Sequence, residues 1–327
     1  MALPRSVVFH TDDLGLSKAF NAGTLAACEG GLVTSTSLRV NGTAFDEAVE
    51  SVLAKYPWLG VGVHLNLVEG DSQLQIGARS RLSNAAGKYK VSFGSLAWAH
   101  VTRDRATFAE AEADMRSQIE TVLGRGVSID HLDSHQHTHA IPSLFRIVCS
   151  LAREYDIPFV RLPREVPYMG NGIVHRMSSW YAVNLVKNVV LNRYSSVDRA
   201  IAEEVGVRTN DYFVGVLYTG HMTSATVTYG LAAAAKRQSQ IVEVLLHPCI
   251  PSGDPHEQFV APYLRRYTNS DARLAELAAL LDPAVLKSVE EQGWQLASFR
   301  TLASGVNESA ALPESSPTEA QRPMGGC

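Results

Sequence analysis

Four of the chain's eleven histidines fall within nine residues, His131-Leu-Asp133-Ser-His135-Gln-His137-Thr-His139. Neutral imidazole is the commonest protein metal ligand, and a carboxylate among histidines suits a divalent ion. Read as a strand and its continuation, the run places His131, Asp133, His135, His137 and His139 on one face and Leu132, Ser134, Gln136 and Thr138 on the other. At about 3.3 Å per residue its ends would lie more than ~20 Å apart, so the run cannot close one site alone. Partners must come from elsewhere. His10-Thr-Asp12-Asp13-Leu-Gly15 sets two carboxylates side by side where an apolar run ends, one able to ligate an ion while the other faces a substrate. Gly60-Val-Gly62-Val-His64-Leu-Asn66 puts His64 and Asn66 on the same face as two glycines, which on a barrel interior would leave room at the axis for a ligand. Asp13, His64 and His135 together make three protein ligands and leave positions for water and substrate, the pattern of a catalytic metal rather than a structural one. Each piece has a plainer reading by itself: capped carbonyls for the histidines, and a turn or the first strand end of a phosphorylation receiver for the paired acids. A receiver is a much shorter module and does not need the histidines.

The elements that must position these groups read as strands alternating with helices. Strands are expected at Ser6–His10, Leu32–Val40, Leu59–Val68, Val127–Asp133, Ile157–Leu162, Tyr212–Tyr218, Ile241–Leu246 and Trp294–Phe299. Helices are expected from Ser17 to Gly30-Gly31, from Thr43 through Val52, over Ala106–Leu123, Ile141–Tyr155 and Thr223–Arg237, and over Ala272–Gln292. Residues 70–104 read as a poorly patterned insertion, and 163–211 as irregular apart from an amphipathic segment around Trp180–Leu191. That segment, with Lys187 and Arg193, suits a homodimer interface, a lid over an apolar substrate or simple core packing alike. Alternating β and α segments imply a parallel sheet. Polar residues stand at the C-terminal ends of almost all the strands: Asp12 and Asp13, Asn41, His64, the histidine run, Arg161, His221 and His247. A (β/α) barrel gathers its active site on that face, whereas an open doubly wound sheet concentrates it at one switch point. The fold class is therefore α/β, an irregular TIM-like (β/α) barrel over residues 1–303. Residues 304–327, rich in Ser, Pro, Glu and Gly, read as a disordered tail.

Bulk properties narrow the function. With 46% hydrophobic residues the chain can bury a sizeable core, and a net charge of −4 gives no electrostatic case for nucleic acid or anionic membranes. Cys28, Cys149, Cys249 and Cys327 are far apart, with no Cys-x-x-Cys, which argues against structural zinc and a disulfide framework. No run reaches the ~18 apolar residues of a membrane span, and acidic residues interrupt any signal-like core at once, so a cytoplasmic location is expected.

The motifs Thr11-Asp-Asp-Leu-Gly15, Leu32-Val-Thr-Ser-Thr-Ser37 with Val40-Asn-Gly42, Gly62-Val-His-Leu65, His131 to His139 and Leu246-His-Pro248 run in an order that resembles the YdjC-like carbohydrate deacetylases. That family includes chitooligosaccharide deacetylase and the hopanoid-biosynthesis deacetylases, and the resemblance covers roughly residues 5–300. It implies a barrel of the glycoside hydrolase/deacetylase type, one divalent ion (magnesium or zinc), and removal of an N-acetyl group from an amino sugar. Carried over by position, it implies Asp13, His64 and His135 as metal ligands, Asp12 as general base and His247 as candidate acid. Arg161 is left to pair with Asp12 or bind substrate, and Asn41, His137 and His139 to bind substrate or orient the ligands. Leu14 stands where the family usually has an aromatic residue, and Cys249 where it has Gly, so the pocket's shape is open. Val61–Gly70 and Arg161-Leu-Pro-Arg164-Glu165 look closer to the hopanoid-associated branch, and His131–His135 to the chitooligosaccharide branch. The rival functions are a metal-dependent phosphoesterase or glycoside hydrolase on the same barrel, and a sugar-binding protein without chemistry.

Overall fold

The computed structural model describes residues 5–74, 77–168, 178–260 and 263–305. Its frame is a curled parallel sheet in the order β5-β4-β3-β2-β1-β7-β6, with the short β8 beside the start of β1. The strands are β1 Ser6–Leu14, β2 Ser35–Leu38, β3 Gly60–Leu65, β4 His131–Ser134, β5 Phe159–Val160, β6 Tyr212–Val214, β7 Ile241–Leu246 and β8 Gln295–Leu296. The edges meet without a regular ladder. Arg208, just ahead of β6, receives the amide of Val160 (3.0 Å) and donates to Pro158 O (3.1 Å). The Asn210 side chain bridges Leu162 and Tyr212, and the Phe213 amide reaches Arg164 O (2.9 Å). The result is an irregular TIM-like barrel.

Helices cover the outer face, where Val7 and Phe9 of β1 join one large apolar core with Val61, Val63, Leu132, Val242 and Val244. The opposite face of the strands lines the axis. Val8, Phe159 and Phe299 plug one end, and beyond them the interior turns polar with His10, His131, Asp133, Arg161 and Glu243, all fully buried. Gly62 serves this packing. A Cβ there would lie 2.4 Å from His131 Nε2, so the space it leaves holds the His131 ring and not a ligand at the axis.

Other differences from the sequence reading have physical causes. Alternation in the histidine run carries only to Ser134; His135–Ala140 is a tight helical turn in which Gln136 and His137 both take left-handed φ of 55°. Within the 70–104 insertion, Phe93–Thr102 forms a helix (α3 in chain order) opened by a Ser92–Ser95 capping box rather than a Ser–Glu one. The last strand shrinks to Gln295–Leu296, because Ser298 caps a terminal helix, Phe299–Ser304. Part of the tail, residues 306–327, lies outside the described residues.

The amphipathic segment near Trp180 belongs to a 27-residue helix, α6 Ser179–Val205. Its buried side is not its valine stripe. Val183, Val186 and Val189 are exposed, while Asn188, Leu191, Ser195, Asp198 and Ile201 face inward. Asp198 is fully buried with no hydrogen-bond partner among the described residues, and burial pushes its pKa up to about 9. The folded carboxyl therefore holds a proton that the unfolded chain, with a pKa of about 3.9, releases. Its contribution is fully present below the unfolded pKa and is lost as pH rises toward about 9. Asp198→Asn is expected to raise the thermal midpoint at pH 8 and to raise it less at pH 5. An equal shift at both pH values in melting curves would contradict a protonated Asp198.

Candidate active site

The paired acids reach the barrel mouth because β1 breaks register between Thr11 and Leu14. Asp13 adopts φ of +65° and Gly15 of +91°, a conformation that costs a non-glycine residue and recurs at ligand-holding sites. The kink brings both carboxylates, consecutive in sequence, to one cavity of about 180 Å³ lined also by His64, Glu69, His135, His137, Lys187 and His247.

Asp12 is clamped by Arg161, whose Nη1 and Nη2 donate to its two oxygens at 3.1 and 2.8 Å. The same guanidinium reaches Asp133 Oδ2 (2.7 Å) and Glu243 Oε1 (2.7 Å), and it donates to His10 Nδ1 (2.9 Å). Burial opposes ionisation of Asp12, yet the charge of Arg161, with that of His64, holds its pKa well below the ordinary carboxylate range. Below it the tautomers follow from the bonding. Arg161 can only donate, so His10 accepts at Nδ1 and offers Nε2–H to His131 Nε2 (2.8 Å), whose Nδ1–H meets Asp130 Oδ1 (2.6 Å). Burial and then Arg161 push the pKa of His10 down to about 3, keeping it neutral.

Asp13, His64 and His135 form the second half of the site. Asp13 Oδ1 lies 3.6 Å from His64 Nε2 and 3.4 Å from His135 Nδ1, and one ligand atom from each falls within 4.8 Å of the others. His64 turns Nε2 toward Asp13 because Nδ1 is held by Asp133 Oδ1 (2.8 Å). His135 is held likewise, Nε2 against Glu69 Oε2 (2.8 Å). A carboxylate behind each imidazole is the usual outer partner of a metal-binding histidine, so the donor set fits a divalent ion. Arg39 Nη1 also donates to Asp13 Oδ1 (3.1 Å), and an ion would share that carboxylate with it. Glu69 Oε2, 3.4 Å from Arg39 Nη2, balances the guanidinium. Two further clusters have metal-like spacing, His10–His131–Asp133 and Asp12–His64–Asp133. Arg161 already neutralises both.

The remaining candidates separate. His247 lines the cavity with Nε2 3.8 Å from Asp12 Oδ2, and Glu276 receives its backbone amide and lies 3.5 Å from Nδ1. His137 lines the cavity, edge-on to Phe213. Burial, then Lys187 and Arg161, lower its pKa. His139 does not line it; its ring spans Ser134 Oγ and the Arg161 carbonyl (2.6 and 2.9 Å), holding the backbone that carries the clamp. Asn41 is likewise a positioning residue, accepting from Arg39 Nε and donating to the carbonyls of Glu69 and Asp71. Leu14 and Cys249 sit in apolar packing and line none of the cavity. Sequence reasoning missed Arg39, Glu69, Glu243 and Glu276 as site residues, and placed Asp133 only as the carboxylate of the histidine run. A charged residue inside an apolar strand run, as in Ser37-Leu-Arg39-Val and Val242-Glu243-Val, is the signal that could have found two of them.

A family model described as YdjC-like protein matches residues 6–291. The chain belongs to the YdjC-like family. Over 298 residues, 91% of this chain and 99% of the relative, it is 26% identical to a chitooligosaccharide deacetylase of Citrobacter koseri. It is 35% identical to a carbohydrate deacetylase of Oceanobacillus iheyensis over 152 residues, 46% of this chain and 63% of the relative. A solved Enterococcus faecalis protein, provisionally described as a cellobiose-phosphate cleavage protein, superposes with a TM-score of 0.68 at 22% identity. It covers 91% of this chain and 99% of its own and shows that the YdjC-like chain shares its fold.

Removing the clamp leaves three buried carboxylates without their common cation. Arg161→Met is expected to destabilise the protein by about 3–5 kcal/mol, as breaking a buried ion pair does. Urea unfolding measures it, and a loss below ~1 kcal/mol, the scale of a surface pair, would show the network to be dispensable.

Proposed function

We propose that this YdjC-like chain is a metal-dependent hydrolase that removes the N-acetyl group from an amino sugar. The observation that carries the proposal is the division of the paired acids: Asp13 belongs to the Asp–His–His trio, and Asp12 stands beside it, ionised, facing the same cavity. Asp13, His64 and His135 would hold the ion. When bound, it would polarise the acetamide carbonyl and lower the pKa of an attacking water toward neutrality. Asp12 accepts the proton of that water, with Arg161 fixing both its oxygens. His247, across from it, gives a proton to the departing amine, and Glu276, beside Nδ1 and holding the backbone amide, orients the ring. The names of the relatives in Citrobacter koseri and Oceanobacillus iheyensis support the sugar deacetylase class.

The rivals fit less well. A glycosidase needs one carboxyl held protonated as acid, and both Asp12 and Asp13 are driven the other way by neighbouring cations. A phosphoesterase would gather cations around the phosphoryl group; Arg39 and Arg161 are committed to carboxylates, which leaves Lys187. A binding protein has no need of a base beside an intact ligand trio. Among the described residues no helix is long and apolar enough to cross a membrane.

The test is acetate release from free, lipid-linked and nucleotide-linked N-acetylglucosamine, with and without chelator. Chelation is expected to abolish release and the metal to restore it. Asp12→Asn is expected to lose about 10²–10⁴-fold in turnover while retaining one bound ion, whereas His64→Ala and His135→Ala lose the ion itself by elemental analysis. A protein that binds the ion yet frees acetate from none of these substrates would refute the deacetylase reading.

A further inference from the structure

The polar groups around the cavity are not all paired. Asp12 is held by Arg161, and Asp13 and Glu69 by Arg39. Lys187 of α6 lines the same cavity with no hydrogen bond or ion pair among the described residues. It is half-buried, and that burial lowers the pKa of its ammonium against the attraction of Asp12. His137 faces the cavity beside it, its Nδ1 buried and without a hydrogen-bond partner among the described residues. The backbone holds that ring in place at a cost, through two successive left-handed residues, Gln136 and His137. Two polar groups left open on one cavity, one of them a half-buried cation, are half of a binding site. A half-buried ammonium gains from a charge-assisted bond to an anionic oxygen.

We propose that Lys187, with His137 beside it, is a substrate subsite for a negatively charged oxygen, separate from the Asp13–His64–His135 trio. Two sources share that chemistry. One is a fixed anionic substituent on the sugar, a phosphate or carboxylate. The other is the oxygen that gains charge as the amide carbonyl is attacked, which rests on the deacetylase reading above.

Binding tests the subsite independently of turnover. Inorganic phosphate is titrated calorimetrically into the full chain in the presence of chelator, with no metal to hold the anion. The wild type is expected to bind it, Lys187→Met to bind at least about tenfold more weakly, as loss of a charge-assisted bond implies, and Lys187→Arg to stay within about threefold. No binding by the wild type, or equal binding by Lys187→Met with an unchanged melting curve, would overturn the proposal. Kinetics with N-acetylglucosamine and its 6-phosphate then separate the sources. A KM raised for the phosphorylated sugar alone marks a fixed substituent; a kcat lowered on both sugars marks the developing oxyanion. Lys187-dependent phosphate binding in a protein that frees no acetate would sustain the subsite and refute the deacetylase reading.

Discussion

Three carboxylates from three strands converge on the guanidinium of Arg161 inside the barrel: Asp12 of β1, Asp133 of β4 and Glu243 of β7. Most of what the site can do depends on that one cation. Arginine suits the place because its planar, always-charged fork serves several acceptors at once. The arrangement is graded rather than uniform. Asp12 and Asp133 are held ionised, while burial of Glu243 outweighs the same guanidinium and raises its pKa to about 7. Three acids sharing one positive charge therefore leave the proton, when there is one, on the carboxyl farthest from the cavity mouth. His10 and His131 extend this network to the plug of Phe299 without adding charge. The interior of this barrel is a polar lattice where a TIM barrel usually stacks aliphatic layers.

A second arginine plays the corresponding part on the other side. Arg39 is fully buried between Asp13 and Glu69, with Asn41 steadying it. The two arginines take adjacent aspartates apart electrostatically, Asp12 to Arg161 and Asp13 to Arg39 and the histidines. Like charges in neighbouring residues would otherwise raise one pKa and protonate one acid. With a cation on each side, both carboxylates stay ionised within one small cavity, which is the condition for one to ligate and the other to accept a proton.

Much of this was legible in the sequence, and the limits have physical reasons. β7 matches its expected span, Ile241–Leu246, because an apolar run broken only by Glu243 and bounded by polar residues leaves little choice. The C-terminal placement of Asp12, His64, Arg161 and His247 could be read because a parallel barrel gives all strands one direction. The grouping of Asp13, His64 and His135 in space agrees with their spacing along the chain. What could not be read was how far the histidine run stays extended, since two residues turning left-handed at Gln136 and His137 have no signature in side-chain alternation. Nor could the valines of α6 reveal that they face outward, because its inner face is specified by Asn188, Ser195 and Asp198, residues that look like a solvent side. Polar residues that pair inside a barrel invert the ordinary hydrophobic pattern.

The position of β1 sets the order in which the chain can become whole. It is made before the other strands of this sheet, yet its neighbours are β2, β7 and β8, and its base pairs with Gln295 and Leu296 nearly 300 residues downstream. During synthesis β1 would have β2 on one side and an open edge on the other until Ile241–Leu246 emerges. The acids Asp12 and Asp13 lie on this strand, and Glu243 of β7 is needed with Asp12 and Asp133 around Arg161. The assembly of the cavity and the folding closure are thus one event: the strand that completes the ladder also delivers the last carboxylate of the network and, one residue beyond its end, His247. A nascent chain lacking β7 carries an exposed, apolar strand edge and an unbalanced set of buried charges, so it has neither a site nor a finished fold to be released prematurely.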